Sequence, residues 1–206
     1  MGRVRSYDEA TVLDAARAAF WTHGFAGTST YDLADATGLG KGSLAHAFGT
    51  KHDLYLRTFA DYCDELVADA ERALSPNGRS DARQQLSEYV LSVTTAFGAA
   101  SPRRGCFLTK ATVDLAAEDP AVAEISHRTF ERLAAAMGTS IAQAQADGQV
   151  GDGDPQVLGL LMLSVLRGVD CIAQAGAEAN MLNTIAQTAL ALLPAAPASA
   201  AQPAVS

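Results

Sequence analysis

Lys41, Gly42, Ser43 and His46 fall within six residues and are followed by Lys51 and His52, in a stretch that also carries Gly38, Gly40 and Gly49. Ammonium groups attract phosphate, hydroxyl and imidazole groups exchange hydrogen bonds with base edges, and glycine lets a backbone approach the surface it meets. This mixture suits contact with a nucleic acid better than bond-breaking chemistry. The four histidines, His23, His46, His52 and His127, show no metal-ligand spacing, no G-x-S-x-G occurs, and the glycines lack the lysine of a phosphate loop. No enzyme activity, metal or cofactor is expected. Cys63, Cys106 and Cys171 are odd in number and widely spaced, so they read as reduced thiols, not a disulfide framework.

The elements that must carry these groups are helices. Three S/T-x-x-D/E signatures, Ser6 with Glu9, Ser29 with Asp32 and Thr50 with Asp53, each mark a helix start. The first helix spans residues 7–23, with Val12, Leu13, Ala16, Ala19 and Phe20 on one apolar stripe, and Gly24 stops it. The second, over residues 30–37, buries Leu33 and ends at Gly38. A third begins near Gly40 and ends at Gly49. If Leu44 and Phe48 point inward at i, i+4, then Gly42, Ser43 and His46 face the opposite way. Two short helices joined by a glycine turn make a helix-turn-helix whose free face fits a DNA groove.

Beyond it the chain stays helical. Helices are expected over residues 51–74, 81–99 and 104–117, from Asp119-Pro120 to Gly148, from Asp154-Pro155 onward, and over 178–193, about nine in all with no strand. The fold class is therefore all-α: an N-terminal three-helix helix-turn-helix domain over residues 1–55 and a C-terminal helical domain over 56–193. The Ala/Pro/Ser tail, 194–206, reads as disordered. The helix after Pro155 is apolar nearly all round and must be covered on every side. Net charge is −8, yet residues 1–57 balance to zero, so the deficit lies in the remainder. An acidic body with a mildly basic corner is expected when only that corner meets phosphate. The apolar run 157–166 is too short to cross a bilayer before Arg167 and Asp170 interrupt it, and no leader pattern opens the chain, so a cytoplasmic location without a membrane partner is expected.

The run VLDAARAAFWTHGFAGTSTYDLADATGLGKGSLAHAFGTKHDL, residues 12–54, resembles the DNA-binding domain of TetR-family transcriptional regulators. Matching features are the helix ending in HGF, the Thr28-Ser29 start, Asp32-Leu33-Ala34 with Gly38-Leu39, the K-G-x-L turn at Lys41, and Phe48-Gly49-Thr50-Lys51. Further along, Gly105-Cys106-Phe107-Leu108 and the D-x-D-P before the penultimate helix are also shared by many members. The chain departs from the family at Gly40, where a Ser or Thr cap is usual, at Ala45, where a tyrosine is usual, and at Ala47, where a polar or aromatic residue is usual.

The resemblance implies a homodimer on a double-stranded DNA operator, usually a repressor, that lets go when a small-molecule effector enters the C-terminal domain. The residues it assigns to DNA are Thr28, Tyr31, Lys41, Gly42, Ser43, His46 and Lys51, with Lys51 on a phosphate at the start of the fourth helix. Arg3 and Arg5 would form a minor-groove arm. Ligand-lining candidates are Phe97, Cys106, Phe107, Lys110, Phe130, Met137 and Met162. Dimerisation falls to the last two helices through Leu158, Leu161, Val165, Ile172, Leu182 and Ile185. Paired as a four-helix bundle, they would hold the recognition helices one DNA turn, about 34 to 36 Å, apart. Two alternatives stand beside this reading. One is a helical dimeric ligand-binding or interaction protein that has lost DNA binding, argued from Ala45 and Ala47. The other is a redox- or electrophile-sensing regulator acting through Cys106, beside Arg103 and Arg104.

Overall fold

The computed structural model describes residues 7–76, 81–99 and 104–196, and among them every regular element is a helix. In chain order these are α1 (Glu9–His23), α2 (Thr30–Thr37), α3 (Lys41–Phe48), α4 (Lys51–Leu74), α5 (Ala82–Ala99), α6 (Phe107–Leu115), α7 (Pro120–Ala146), α8 (Pro155–Gln174) and α9 (Ala179–Ala191). Arg3, Arg5, Ser6 and Arg103 lie outside the described residues, as does the tail from residue 197.

Local chemistry sets most boundaries. At α2 the capping box expected from sequence is complete: Asp32 N–H donates to Ser29 Oγ at 3.2 Å and Ser29 N–H donates to Asp32 Oδ2 at 2.7 Å. Thr50 and Asp53 repeat it at α4, at 3.1 and 2.8 Å. The cap of α1 is Asp8, which accepts from Ala10 N–H at 3.2 Å and from the Thr11 hydroxyl at 2.7 Å. Asp154 accepts from the amides of Gln156 and Val157 ahead of Pro155, so α8 starts where the Asp-Pro pair predicts. α6 begins at Phe107, three residues later than the sequence pattern suggests, with Cys106 as its cap. Gly38, at φ 69°, takes the left-handed turn between α2 and α3 that a Cβ would penalise.

Two compact units emerge. The first holds the described residues up to Ala68 together with 104–129; the second holds Asp69 to Ala99 and Phe130 onward. This grouping differs from a boundary at residue 55. α4 runs unbroken through that point, and its residues Tyr55, Phe59, Cys63 and Val67 are all buried at 2% exposure or less. Phe107 of α6 packs edge-on to Tyr55 at 5.8 Å and to Phe59 at 5.5 Å, while Phe20 of α1 meets Tyr55 at 5.1 Å. Aromatic pairs of this kind add about 0.5–1.5 kcal/mol each beyond their buried area. They tie α6 to α1 and α4, and the hydrogen bond between the Thr112 and Ser126 hydroxyls, at 2.9 Å, adds the start of α7. Burial also pushes the Tyr55 phenol well above its ordinary range, so the ring stays neutral.

In the second unit α5, α8 and α9 pack on one another, and α7 crosses α8 closely. A Cβ on Gly159 would fall 2.5 Å from the Ala134 carbonyl oxygen and 2.6 Å from the Gly138 nitrogen, so only glycine permits that crossing. α8 is not covered on every side within the chain. Gly159, Met162, Leu163, Leu166, Val169, Asp170 and Ala173 are buried, whereas Val157, Leu160 and Leu161 remain 50% or more exposed. By length and composition alone α8 could span a membrane, but this one-sided burial is that of a helix in a packed globular layer.

Candidate nucleic-acid interface

The helix-turn-helix is anchored as the i, i+4 spacing predicts. Leu33 of α2 and Leu44 and Phe48 of α3 are buried, at 2%, 6% and 8% exposure. Gly42, Ser43 and His46 are exposed on the other side of α3, and a Cβ placed on Gly42 would meet nothing within 4 Å. That face is free to enter a groove. Gly40 gives α3 no side-chain cap, so the positive end of its dipole is left without a side-chain acceptor.

Around this face the seven residues assigned to DNA divide. Tyr31 and Lys41 are exposed, and the Lys41 ammonium sits 3.6 Å from the centroid of the Tyr31 ring. Thr28 is withdrawn: it is fully buried and its hydroxyl donates to the Gly24 carbonyl at 2.7 Å. Lys51 is withdrawn too. Its Nζ donates to the carbonyls of Phe25 and Thr28, both at 2.9 Å, and lies 4.1 Å from the Phe25 ring centroid. The α1–α2 loop curls over the start of α4 and offers two carbonyls that the ammonium satisfies, which turns an expected phosphate ligand into an internal brace. Beside Lys41 lies a hollow of about 190 Å³, floored by Leu33, Leu44 and Leu54 and rimmed by Thr30 and Ala45. Sequence reasoning did not single out Thr30; the bare Ala45 next to it was the available signal.

Two carboxylates frame the motif electrically. Asp32 is held below the usual carboxylate range by the Ser29 hydroxyl and amide, and Asp53 likewise by the Thr50 hydroxyl and amide. Both stay ionised as helix caps. His52 Nε2 lies 2.6 Å from Asp119 Oδ2; burial acts to raise the Asp119 carboxyl, but this hydrogen bond and the amides of Val122 and Ala121 hold it low.

The hollows beside α1 and α4, between α2 and α3, and beside α1 and α2 are lined by none of the residues assigned to a ligand. In the first unit, Phe107 is 1% exposed inside the aromatic core, and Lys110 donates to the carbonyls of Trp21 and Thr22 at 3.2 and 3.3 Å, closing the C-terminal turn of α1. Cys106 is 3% exposed with its Sγ 3.4 Å from the Tyr62 hydroxyl. In the second, Met137 and Met162 are core residues, Phe130 is half-buried, and half-buried Phe97 lies 5.5 Å beneath the Arg167 guanidinium. A cleft of about 390 Å³ between α1 and α4 is lined instead by Asp14, Arg17, Asp61, Asp64 and Glu65 among others. Burial pushes the Cys63 thiol up to about 12, and Cys171 is exposed.

Of the dimerisation candidates, Leu161 is half exposed and Leu158, Val165, Ile172 and Ile185 are partly buried. Leu182 is not available: at 0% exposure it belongs to its own chain's core with Val169 and Ala173. The outward stripe runs instead through Val157, Leu160, Leu161, Ser164, Gly168 and Cys171 on α8 and through Met181, Thr184, Thr188 and Leu192 on or just past α9.

Comparison with known proteins agrees with this geometry. Residues 12–58 match the family described as bacterial regulatory proteins, tetR family. The HTH-type transcriptional repressor ComR of Escherichia coli K12 is 27% identical over 194 residues, which is 94% of this chain and 92% of that protein. The TetR family transcriptional regulator CifR, in a cysteine mutant solved with 26-base-pair operator DNA, superposes with a TM-score of 0.81 at 25% identity over 93% of this chain and 100% of the CifR chain. Escherichia coli NemR in its reduced form shares the fold at a TM-score of 0.82 and 15% identity, over 92% and 97% of the two chains. A helix-turn-helix with its polar face open and regulator relatives along nearly the whole chain lead to one conclusion: residues 12–58 carry the signature of the bacterial tetR-family regulatory proteins, and the chain as a whole is similar to transcriptional regulators of that kind.

Proposed function

We propose that this protein is a dimeric DNA-binding transcriptional repressor that a small-molecule effector releases from its operator. The observation that carries the reading is the open side of α3: Leu44 and Phe48 hold the helix while Gly42, Ser43 and His46 are left without a packing role. CifR, similar over nearly the whole chain, was solved on operator DNA, which supports the same use of this face here. Tyr31, Lys41, Gly42, Ser43 and His46 then form the DNA-contacting set. Residues 1–55 act as the reading head and 56–193 as the effector and dimerisation part, in the cytoplasm. A second copy laid against the exposed apolar stripe of α8 and α9 gives two recognition helices, so the operator has inverted symmetry. The effector acts by binding better to a conformation in which those helices no longer match the two half-sites.

The test is selection of duplexes from a random pool, followed by titration against the protein's own upstream region. A selected palindrome, with discrimination that relaxes in a Ser43→Ala, His46→Ala variant, supports the reading. A dimer that retards no duplex favours the interaction-protein alternative. A regulator triggered through Cys106 is favoured by one observation, the Cys106 thiol at a helix start within reach of the Tyr62 hydroxyl. If peroxide releases DNA from the unaltered protein but not from Cys106→Ser, that trigger replaces the small molecule.

A further inference from the structure

We propose that Tyr31 is a positioning residue for Lys41, its ring holding the ammonium ready on the DNA side so that the two side chains act as one contact to a single operator phosphate. The inference deepens the DNA-binding reading and rests on it. Tyr31, on the first turn of α2, leaves its large ring 66% exposed, an unusual amount for a residue with so much apolar area. Lys41 opens α3, across the glycine turn, and brings its Nζ to 3.6 Å from that ring's centroid. The pair therefore bridges the two helices of the motif on its outer surface.

The chemistry gives the arrangement a purpose. A ring face attracts an ammonium electrostatically, yet an ammonium has three donors, and directing one at the ring leaves others for an anion. A lone surface lysine must give up the freedom of a long flexible chain when it binds phosphate; one already parked on a ring gives up less. Neighbouring groups concentrate the need on this pair. Lys51 has committed its ammonium to two carbonyls, Ala45 and Ala47 carry no polar side-chain atoms, and the start of α3 lacks a side-chain cap. Lys41 adds its charge at the positive end of that helix, where an anion is already favoured.

A duplex selected by the unaltered protein serves as the probe, and its affinity is measured over a range of salt for Tyr31→Ala, Tyr31→Phe, Lys41→Ala and the Tyr31→Ala, Lys41→Ala double variant. Tyr31→Ala should weaken binding about threefold, and Tyr31→Phe, which keeps the ring, should recover most of that loss. Lys41→Ala should lower the salt slope by about one and leave nothing further for Tyr31→Ala to remove. Both residues are exposed, so thermal unfolding should be unchanged in all four variants. If Tyr31→Phe is as weak as Tyr31→Ala, or if the two losses multiply independently, the positioning role is overturned while the DNA-binding reading stands. If the unaltered protein selects no duplex, both fall together.

Discussion

At the scale of single residues, two identical side chains in one motif have opposite fates. Lys41 opens the recognition helix and Lys51 opens the helix after it, but the first meets a ring at the surface and the second meets two backbone carbonyls. Hydrogen bonds from a charged donor contribute more than neutral ones, and losing the donor leaves both acceptors short. Lys51→Met should therefore lower folding stability by about 2 kcal/mol while leaving the salt slope of DNA binding unchanged. Paired thermal melts and salt titrations check this, and a slope that drops by one would return Lys51 to the phosphate. Thr28 teaches the same lesson, since its hydroxyl faces a carbonyl of its own chain.

Helix starts obey rules that act within four residues, and these are where pattern reading performs best. Ser29 with Asp32 and Thr50 with Asp53 form the boxes their spacing predicts, and the glycines at 24, 38 and 49 close the preceding helices. The Asp53 carboxyl has a pH consequence. Its folded value is depressed by the Thr50 hydroxyl and amide, so its stabilisation is complete above the unfolded carboxyl range near about pH 4 and disappears as pH falls through the lower folded value. The melting temperature of Asp53→Asn should lie below that of the unaltered protein at neutral pH, with the gap closing in acid. A gap that persists unchanged through strong acid would show that the cap does not depend on charge. The start of α1 shows the limit of the rule: the spacing of Ser6 and Glu9 predicts a cap at Ser6, which lies outside the described residues, whereas the observed helix begins at Glu9 with Asp8 as its cap.

For the whole molecule, the decisive division is between apolar residues that face the chain's own core and those that face outward. α8 and α9 supply both from neighbouring turns. Leu182→Ala should destabilise each subunit by about 2–5 kcal/mol through a core cavity. Leu161→Arg should leave the subunit folded and convert the dimer to monomer, with operator affinity falling as dimers are lost. Sedimentation together with thermal unfolding separates the two outcomes, and a stable dimer of Leu161→Arg would place the interface elsewhere. Read from sequence alone, the order and kind of the helices, the turn between α2 and α3 and the inward pair Leu44 and Phe48 were all determined, because capping, glycine conformation and 3.6-residue periodicity depend on near neighbours. Tertiary structure alone decided that Lys51 and Lys110 brace backbone carbonyls, that Leu182 is core, and that α6 joins the first compact unit. Those outcomes turn on which surfaces meet across long stretches of chain, and a periodic pattern says that a face is buried without saying against what.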